Sequence, residues 1–388
     1  MSVRAVAAEA LLPCQRELFD MPRDVAYLNA AAYAPVPISV RDAGARGAVA
    51  KATPWATLDN RAATAQAERV RAAAGAVIGA AARDIAIVGS VSHGLATAGH
   101  VLPIAAGHRL LRVAREQSSN CLEWARVAER RGAVLDVVPM PEDGDWTRAV
   151  IERIELAGAP PVGIAALTPC HWTDGSLINL ERIAPVLRAH GARLVVDATQ
   201  AAGAVPIDVA VLRPDFLAFP TYKWVLGPYN LAFLYVAPCW QEGEPLERNG
   251  FNCVTDDACL RVGFAEGAGR YDMGERNNPV ALPMAEAGLG LVAGWGVAAV
   301  SARLRMLTDA LAEVAVELGV AVRPRALRAV NILGLRLPGG MRADTLDRMA
   351  ALGVHVSDRQ GVMRVSPHVY NDEGDVAQFG AALAKVLG

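Results

Sequence analysis

Lys223 and Asp197 are the two residues whose types and positions best suit joint chemistry. Lys223 lies in AFPTYKWVLGPYN, just past an apolar strand and with few polar neighbours, so its amine either reaches out to water or is kept for a reaction. Asp197 ends the apolar stretch ARLVVD, where a buried carboxylate is costly unless it meets a cation or a proton donor. Capping of the next turn is the commoner role for such an aspartate. If the two strands are parallel, both side chains face one crevice.

A candidate anion site lies in the stretch IVGSVSHGL. The strand is expected to end at Gly89, and Ser90, Val91 and Ser92 would then open a helix whose N–H groups and dipole favour a phosphate. Taken alone, Ser92 would more often be a helix cap. A lysine that forms a Schiff base, an acid for a ring nitrogen and a phosphate cradle are together what pyridoxal 5'-phosphate requires. The sequence therefore predicts this cofactor.

The elements that must position these residues alternate along the chain. Short apolar strands such as IAIV, RLLRV, GIAAL and ARLVVD are separated by helical stretches such as NCLEWARVAERRG and NLERIAPVLRAHG. Near-continuous apolar strands separated by helices indicate a mainly parallel sheet buried on both faces. We predict an α/β fold whose ligand lies beyond the carboxyl ends of the strands.

Near Asn278 the pattern becomes helical for about forty residues and then gives way to short strands and a closing helix. This predicts a smaller α+β domain in addition to the large one. The predicted division is an N-terminal segment 1–30 that packs on the small domain, a large cofactor-binding domain 31–275, and a small domain 276–388.

Composition narrows the function classes. Of the 388 residues, 53% are hydrophobic and 20% are charged, and the net charge of -2 offers no basic face for nucleic acid. The longest apolar stretch, AGLGLVAGWGVAAV, is too short and glycine-rich to span a membrane, and the seven histidines have no metal-binding spacing. The six cysteines form no CxxC pair. We expect a reduced cytoplasmic setting, without a metal, a nucleic-acid partner or a membrane.

Seven stretches resemble the class V aminotransferase family of fold-type I pyridoxal-phosphate enzymes, in family order and over nearly the whole chain. They are YLNAAAYAPVP, SVSHGLATAG, SSNCLEWARVAERRGA, HWTDGSLINL, VVDATQAAGAVPIDV, PDFLAFPTYKWVLGP and MRVSPHVYN. The family includes cysteine desulfurases, kynureninases and isopenicillin-N-epimerase-like proteins. The resemblance implies a large domain with a seven-stranded type of sheet.

Carried over residue by residue, the resemblance implies that Lys223 is the Schiff-base lysine and moves protons at Cα. Asp197 would pair with the pyridine nitrogen, and Gln200 would approach the phenolic oxygen of the ring. Val91 and Ser92 would hold the phosphate, assisted by Thr221 and Tyr222. Arg364 would clamp the substrate carboxylate, a planar group that a guanidinium fork suits. The cofactor set is Val91, Ser92, Gln117, Trp172, Asp197, Gln200, Thr221, Tyr222 and Lys223, with Asn29 and Arg364 on the substrate side.

The resemblance also implies a homodimer in which the segment from Gly274 to Asn277 reaches the neighbouring active site. Glu275 occupies the position of a phosphate-binding threonine in the desulfurases. Since a carboxylate repels phosphate, Arg276 or a backbone N–H would do that work.

Three departures from the family bear on the reaction. Gln117 stands where desulfurases carry a ring-stacking histidine, so that acid–base group is absent or replaced. Trp172 stands where many relatives carry an asparagine. LGVHVSDRQGVMR, the segment before the arginine, contains no cysteine, which argues against a persulfide-forming cysteine desulfurase.

We predict an enzyme that acts on a free α-amino acid through a substrate Schiff base and loss of the Cα proton. An aminotransferase-like reaction is favoured, because no acid for a leaving group is evident. C–S or other β/γ-elimination and epimerisation stay open as alternatives. A binding protein that keeps the fold without turnover is disfavoured by the intact set of site residues, and a dinucleotide enzyme by the lack of a strand–GxGxxG–helix element.

Overall fold

The structure is a computed structural model that describes residues 11–57, 59–258 and 260–388. Its strands are β1 (Ala26–Tyr27), β2 (Ile85–Val88), β3 (Arg109–Val113), β4 (Val134–Val138), β5 (Val162–Leu167), β6 (Arg193–Asp197), β7 (Phe216–Pro220), β8 (Ala232–Val236), β9 (Cys253–Thr255), β10 (Arg261–Phe264), β11 (Ala321–Val322), β12 (Leu333–Arg336), β13 (Val354–His355), β14 (Ser357–Arg359) and β15 (Val362–Val365).

The α-helices are α1 (Ile38–Ala52), α2 (Pro54–Thr57), α3 (Asn60–Val77), α4 (Val91–Val101), α5 (Ser119–Arg131), α6 (Trp146–Ile154), α7 (Leu180–Ala189), α8 (Val209–Leu212), α9 (Ala281–Trp295), α10 (Val297–Glu317), α11 (Thr345–Ala351) and α12 (Glu373–Leu387). Asn and Asp caps fix several helix starts. Asp59, Asp145 and Asn179, for example, each accept a backbone N–H of the first turn.

A seven-stranded sheet in the order β2-β8-β7-β6-β5-β3-β4 forms the centre of the large unit. Neighbours from β7 to β4 pair in parallel, while β8 runs antiparallel to both β7 and β2. Helices cover both faces, which is why central strands such as β5 and β7 are apolar along their whole length. The predicted α/β fold with a mainly parallel seven-stranded sheet is confirmed.

The smaller unit is built on an antiparallel sheet in the order β11-β12-β15-β14, packed against α10 and α12. The described part of the N-terminal segment packs on it: β1 pairs with β13, and Arg16 forms a buried ion pair with Asp375 at 3.0 Å. Residues 1–10 of the predicted segment 1–30 lie outside the described residues. The smaller α+β unit predicted from the sequence is therefore present.

The long helical region after Asn278 is two helices rather than one. α9 packs against α1 and α3, and its apolar side chains belong to the core of the large sheet. The chain turns at Gly296, whose φ of 79° suits glycine, and α10 then joins the small unit. The domain limits stay a prediction, but the packing assigns α9 to the large unit, beyond the predicted boundary at residue 276. Within the described ranges no single helix is long and apolar enough to cross a membrane, although α9 and α10 together, bent by 79°, have the length and composition.

Candidate active site

A cavity of about 490 Å³ opens at the carboxyl ends of β2, β3, β6 and β7, bordered by the starts of α4 and α5 and by the β14–β15 hairpin. This is the edge where a parallel sheet is expected to bind its ligand. Most of the predicted site residues line it: Val91, Ser92, Gln117, Trp172, Asp197, Gln200, Tyr222, Lys223 and Arg364.

Lys223 and Asp197 reach this cavity from the ends of neighbouring strands. Lys223 is 9% exposed, and burial, reinforced by the charge of Arg364, lowers the pKa of its amine to about 7. Burial raises the pKa of Asp197, although its Oδ1 accepts the N–H of Thr199 at 2.9 Å. A substantial neutral fraction of a lysine amine at neutral pH is what a nucleophile or a base requires.

The loop after β7 holds Lys223 in place. Its ends are joined by backbone hydrogen bonds from Gly227 to Thr221 at 2.8 Å and from Thr221 to Leu231 at 3.1 Å. A Cβ at Gly227 would lie 2.7 Å from the Cβ of Thr221, so glycine is needed for this close approach. Trp224 is 1% exposed and anchors the loop in the core.

The starts of α4 and α5 form the expected anion cradle. Ser90 caps α4 by accepting the N–H of His93 at 3.1 Å, and Val91 and Ser92 line the cavity in the first turn. The Ser92 hydroxyl donates to Ser119 Oγ at the start of α5 at 2.8 Å. Two helix N-termini and two hydroxyls at one end of the cavity suit a phosphate.

Tyr222 lines the same cavity. Burial raises the pKa of its hydroxyl to about 12. The phenol therefore stays protonated and can donate a hydrogen bond.

Thr221 does not fit its predicted role in phosphate binding and is a correction. Its side chain is fully buried and does not line the cavity, and its hydroxyl donates to the carbonyls of Pro228 and Leu231. Because the hydroxyl has one proton, which is shared by these carbonyls, none is left for a phosphate. Thr221 instead braces the loop that carries the lysine.

Asn29 also differs from its prediction, because it is not among the residues that line the cavity. Its backbone forms an isolated parallel bridge with Ser366, and its buried Oδ1 has no hydrogen-bond partner within the described part of the chain. The neighbouring residues Ala31, Ala32 and Tyr33 line the cavity in its place. The sequence located the right segment but not the side chains that face inward.

Gln200, Gln117 and Trp172 line the cavity and also form hydrogen bonds within the protein. Gln200 donates to the carbonyl of Ala31 at 3.1 Å and accepts from the indole of Trp224 at 3.2 Å. Gln117 accepts the N–H of Ser119 at 2.7 Å, and Trp172 donates to the carbonyl of Arg115 at 2.8 Å. Their contacts with a cofactor remain predictions.

Arg364 is a buried cation with free donors. It is 1% exposed, and its Nη1 donates to the carbonyl of Trp172 at 2.8 Å, while its Nε and Nη2 have no partner among the described residues. Burial, with the charge of Arg359, lowers the pKa of the guanidinium to about 9. Two unpaired donors on a rigid fork fit a carboxylate.

Two cavity residues escaped sequence reasoning. Glu116 is 8% exposed, its Oε1 accepts the N–H of Gln117 at 2.9 Å, and its buried Oε2 has no partner in the described ranges. Burial, with the charge of Asp197, raises the pKa of this carboxyl to about 8, so it is largely protonated at neutral pH. Arg359 enters from the β14–β15 hairpin. The only available signal was position: each lies within five residues of a residue already singled out.

Arg276 was one of two candidates for binding the cofactor phosphate of a neighbouring subunit, but its guanidinium is already paired within its own chain. It is buried and pairs within its own chain with Asp272 at 3.2 Å and Glu68 at 3.3 Å. Glu275 is exposed, with a left-handed φ of 57°. A backbone N–H is the remaining candidate in this segment.

A fold-type I pyridoxal-phosphate enzyme is the class that this sheet and cavity define. A buried amine, a buried acid, an anion cradle at two helix N-termini and a carboxylate clamp meet in one space, and each matches one part of the cofactor or of an amino acid. In the part of the chain that the structure describes, no group of three or more His, Cys, Asp or Glu side chains is arranged to hold a metal.

The family follows from the sequence itself. The family described as Aminotransferase class-V matches residues 26–379. The chain belongs to this family and is a pyridoxal-phosphate-dependent enzyme.

Known relatives indicate which branch it resembles. A cysteine desulfurase of Salmonella typhimurium is 29% identical over 272 residues, or 68% of this chain, and the match spans 65% of that relative's length. An apo cysteine desulfurase from Thermococcus onnurineus has a TM-score of 0.82 at 20% identity, covering 96% of this chain and 97% of its own.

C-DES also shares the fold. A lysine-to-alanine mutant of it, with glycine covalently linked to the pyridoxal-phosphate cofactor, has a TM-score of 0.86 at 19% identity and covers 95% and 99% of the two chains. A second structure is described as the cystine C–S lyase C-DES with its product cysteine persulfide, with a TM-score of 0.83 at 19% identity and coverage of 93% and 97%.

These relatives correct the predicted reaction. The sequence favoured an aminotransferase-like activity and excluded cysteine desulfurases, yet the relatives carry the names cysteine desulfurase and C–S lyase. The exclusion rested on a missing cysteine before Arg364. A protein thiol is needed where the sulfur is transferred to the protein, whereas elimination, in which sulfur leaves with the bonding electrons, needs only the cofactor, a base and a carboxylate clamp. The alternative of C–S cleavage is the better supported one.

Proposed function

We propose that this enzyme cleaves the bond between Cβ and sulfur in a free, sulfur-containing α-amino acid. The observation that carries the proposal is a single cavity that joins the buried amine of Lys223 to the free donors of Arg364, in a chain 29% identical to a cysteine desulfurase. C-DES, described as a cystine C–S lyase, adds support at the level of the fold.

Arg364 binds the α-carboxylate of the substrate. Its unpaired Nε and Nη2 can donate to the two carboxylate oxygens as a fork, and the contact of Nη1 with the carbonyl of Trp172 fixes the orientation of that fork. A bidentate contact sets which Cα substituent faces Lys223, and hence which bond is broken.

Lys223 takes the proton from Cα. When bound, pyridoxal phosphate withdraws electrons from the substrate's Cα and makes that proton removable. Asp197, at the end of β6, would keep the ring nitrogen protonated, and the cradle around Ser92 would hold the phosphate. Because the pKa of Lys223 is about 7, its amine can accept a proton at neutral pH.

The carbon–sulfur bond then breaks, and its electron pair leaves with sulfur. In an elimination, one amino acid and one water give one thiol, one ammonia and one 2-oxo acid. A neutral acid in the cavity assists such a step, and Glu116, largely protonated at neutral pH, is the carboxylic acid available there.

A homodimer is part of the proposal. Val254 and Val262 on the β9–β10 hairpin and Trp55 on α2 are more than half exposed in the single chain. A second copy that covers such side chains would remove apolar surface from water. Light scattering after gel filtration tests this, and a monomer at micromolar concentration would contradict it. A cytoplasmic, reducing location is also proposed.

Sulfur release from L-cystine and L-cysteine tests the function. Purified protein with added pyridoxal phosphate is expected to release thiol, persulfide or sulfide, while Lys223→Ala releases none. Arg348→Gln, outside the cavity, is a matched control expected to keep full activity. No sulfur from either substrate, together with conversion of the bound cofactor to its aminated form, would overturn the proposal.

A further inference from the structure

Arg359 is a second cation in the cavity, and its backbone is held rigidly. It ends β14, and the turn to β15 consists of Gln360 and Gly361, with left-handed φ values of 56° and 83°. Arg115 of the large unit donates to Gln360 Oε1 at 2.6 Å and so fixes the tip of this hairpin. Arg359 therefore enters the cavity from a docked strand end.

The guanidinium of Arg359 makes few contacts within the described residues of its own chain. Its Nη1 donates to the carbonyl of Asp358 at 2.7 Å, and its Cζ lies 5.9 Å from the ring centroid of Trp172. Among the described residues neither Arg359 nor Arg364 has a carboxylate within 4.0 Å. Two neighbouring cations without an anion between them repel each other, which is one reason why the pKa of Arg364 falls to about 9.

The charges that line the cavity are unevenly placed. Arg359 lines the cavity beside Trp172, whose carbonyl accepts a hydrogen bond from Arg364 Nη1 at 2.8 Å, so it lies at the substrate end. Asp197 couples electrostatically to Lys223 although burial raises its pKa, while Glu116 is largely neutral at neutral pH. One α-carboxylate neutralises one arginine and leaves the other without a partner.

We propose that Arg359 determines substrate specificity by binding a negative charge on the sulfur substituent of the substrate. The class of substrate is then an α-amino acid whose β-sulfur carries a second anion, such as a carboxylate or an oxidised sulfur. This rests on the proposed C–S cleavage, and it assigns the α-carboxylate to Arg364 and the distal anion to Arg359. Trp172 lies against the guanidinium and restricts where it can move.

A matched pair of substrates isolates that distal charge. S-carboxymethyl-L-cysteine and S-carbamoylmethyl-L-cysteine have nearly the same shape and differ by one negative charge. The wild-type enzyme is expected to favour the first about tenfold in kcat/KM, mainly through KM, because a hydrogen bond to a charged group is lost with the second. Arg359→Gln is expected to abolish the preference, Arg359→Lys to keep part of it, and Arg325→Gln, on the surface with an ion pair to Asp309, to leave it intact.

Binding without turnover provides an independent readout. Calorimetric titration of the cofactor-loaded protein with L-aspartate and L-asparagine is expected to show tighter binding of L-aspartate to the wild type, and no difference with Arg359→Gln. Cofactor affinity, followed by visible absorbance, should not change in the variant.

Three results would overturn the proposal. The first is a wild-type enzyme with no preference for the charged substrate. The second is an equal loss of kcat/KM for both substrates of the pair in Arg359→Gln, as expected if Arg359 helped to bind the α-carboxylate. The third is weaker cofactor binding in Arg359→Gln with the charge preference intact. If neither sulfur substrate is cleaved but aspartate is preferred over asparagine, the proposed function fails while the role of Arg359 stands.

Discussion

Replacing Arg364 with methionine is expected to stabilise the cofactor-free protein while it removes amino-acid binding. The guanidinium is 1% exposed, has no carboxylate partner in the described ranges, and has a pKa of about 9 in the folded chain. Its ordinary value lies above 12, and each pKa unit corresponds to about 1.4 kcal/mol. Holding this charge in the fold therefore costs up to about 5 kcal/mol.

Whether the charge of Arg364 destabilises the fold depends on the protonation of the guanidinium in the folded and unfolded states. Near pH 7 the group is charged in both, so the full cost applies, and the cost falls only as pH rises towards the folded pKa of about 9 and above. Methionine removes the charge and also the hydrogen bond to the carbonyl of Trp172, which contributes about 1–3 kcal/mol. We expect a net gain of about 2 kcal/mol at pH 7.

Urea unfolding of the cofactor-free protein, followed by circular dichroism, measures this gain. In the loaded protein, loss of two charge-assisted hydrogen bonds should weaken amino-acid binding at least about 100-fold. Arg364→Lys keeps a charge but not the fork and should bind with intermediate affinity. Destabilisation of the Arg364→Met variant by more than about 2 kcal/mol would show instead that the arginine is a structural group of the fold.

Three further predictions distinguish the roles of Lys223, Glu116 and Thr221. Capture of the cofactor by Lys223 should speed up as pH rises through about 7, because the neutral amine is the reactive form, and a rate constant flat from pH 6 to 8 would contradict that pKa. Glu116→Gln should be more stable than wild type at pH 9 by a few kcal/mol and little different at pH 5, because the raised pKa of Glu116 makes ionisation unfavourable in the fold; parallel stability profiles would contradict this. Thr221→Val should lower stability by about 1 kcal/mol with phosphate affinity unchanged, whereas Ser92→Ala should weaken cofactor binding, and the reverse pattern would restore Thr221 to the cradle.

The site residues at the strand ends could be predicted because a polar residue next to an apolar strand is visible in the sequence. Asp197 ends β6 after three apolar residues, and Lys223 lies three residues past the wholly apolar β7, so both stood out in the sequence. The resemblance added Arg364, and the structure brings all three to one cavity.

The missed features depend on three-dimensional packing. The direction of the Thr221 hydroxyl is set by carbonyls seven and ten residues later, and the burial of Glu116 by elements far along the chain. α9 is apolar around much of its surface, so its sequence does not indicate which sheet it covers. Arg359 was not singled out, since no local sequence pattern shows that its hairpin docks on the large unit.

The fate of the substrate's sulfur shows whether the enzyme breaks the carbon–sulfur bond. L-cystine labelled with carbon-13 and incubated with the cofactor-loaded enzyme can be followed by mass spectrometry. The expected product is labelled pyruvate, formed in step with the sulfur released and absent with Lys223→Ala. A labelled 2-oxo acid that retains its sulfur, formed while the cofactor is aminated, would contradict it.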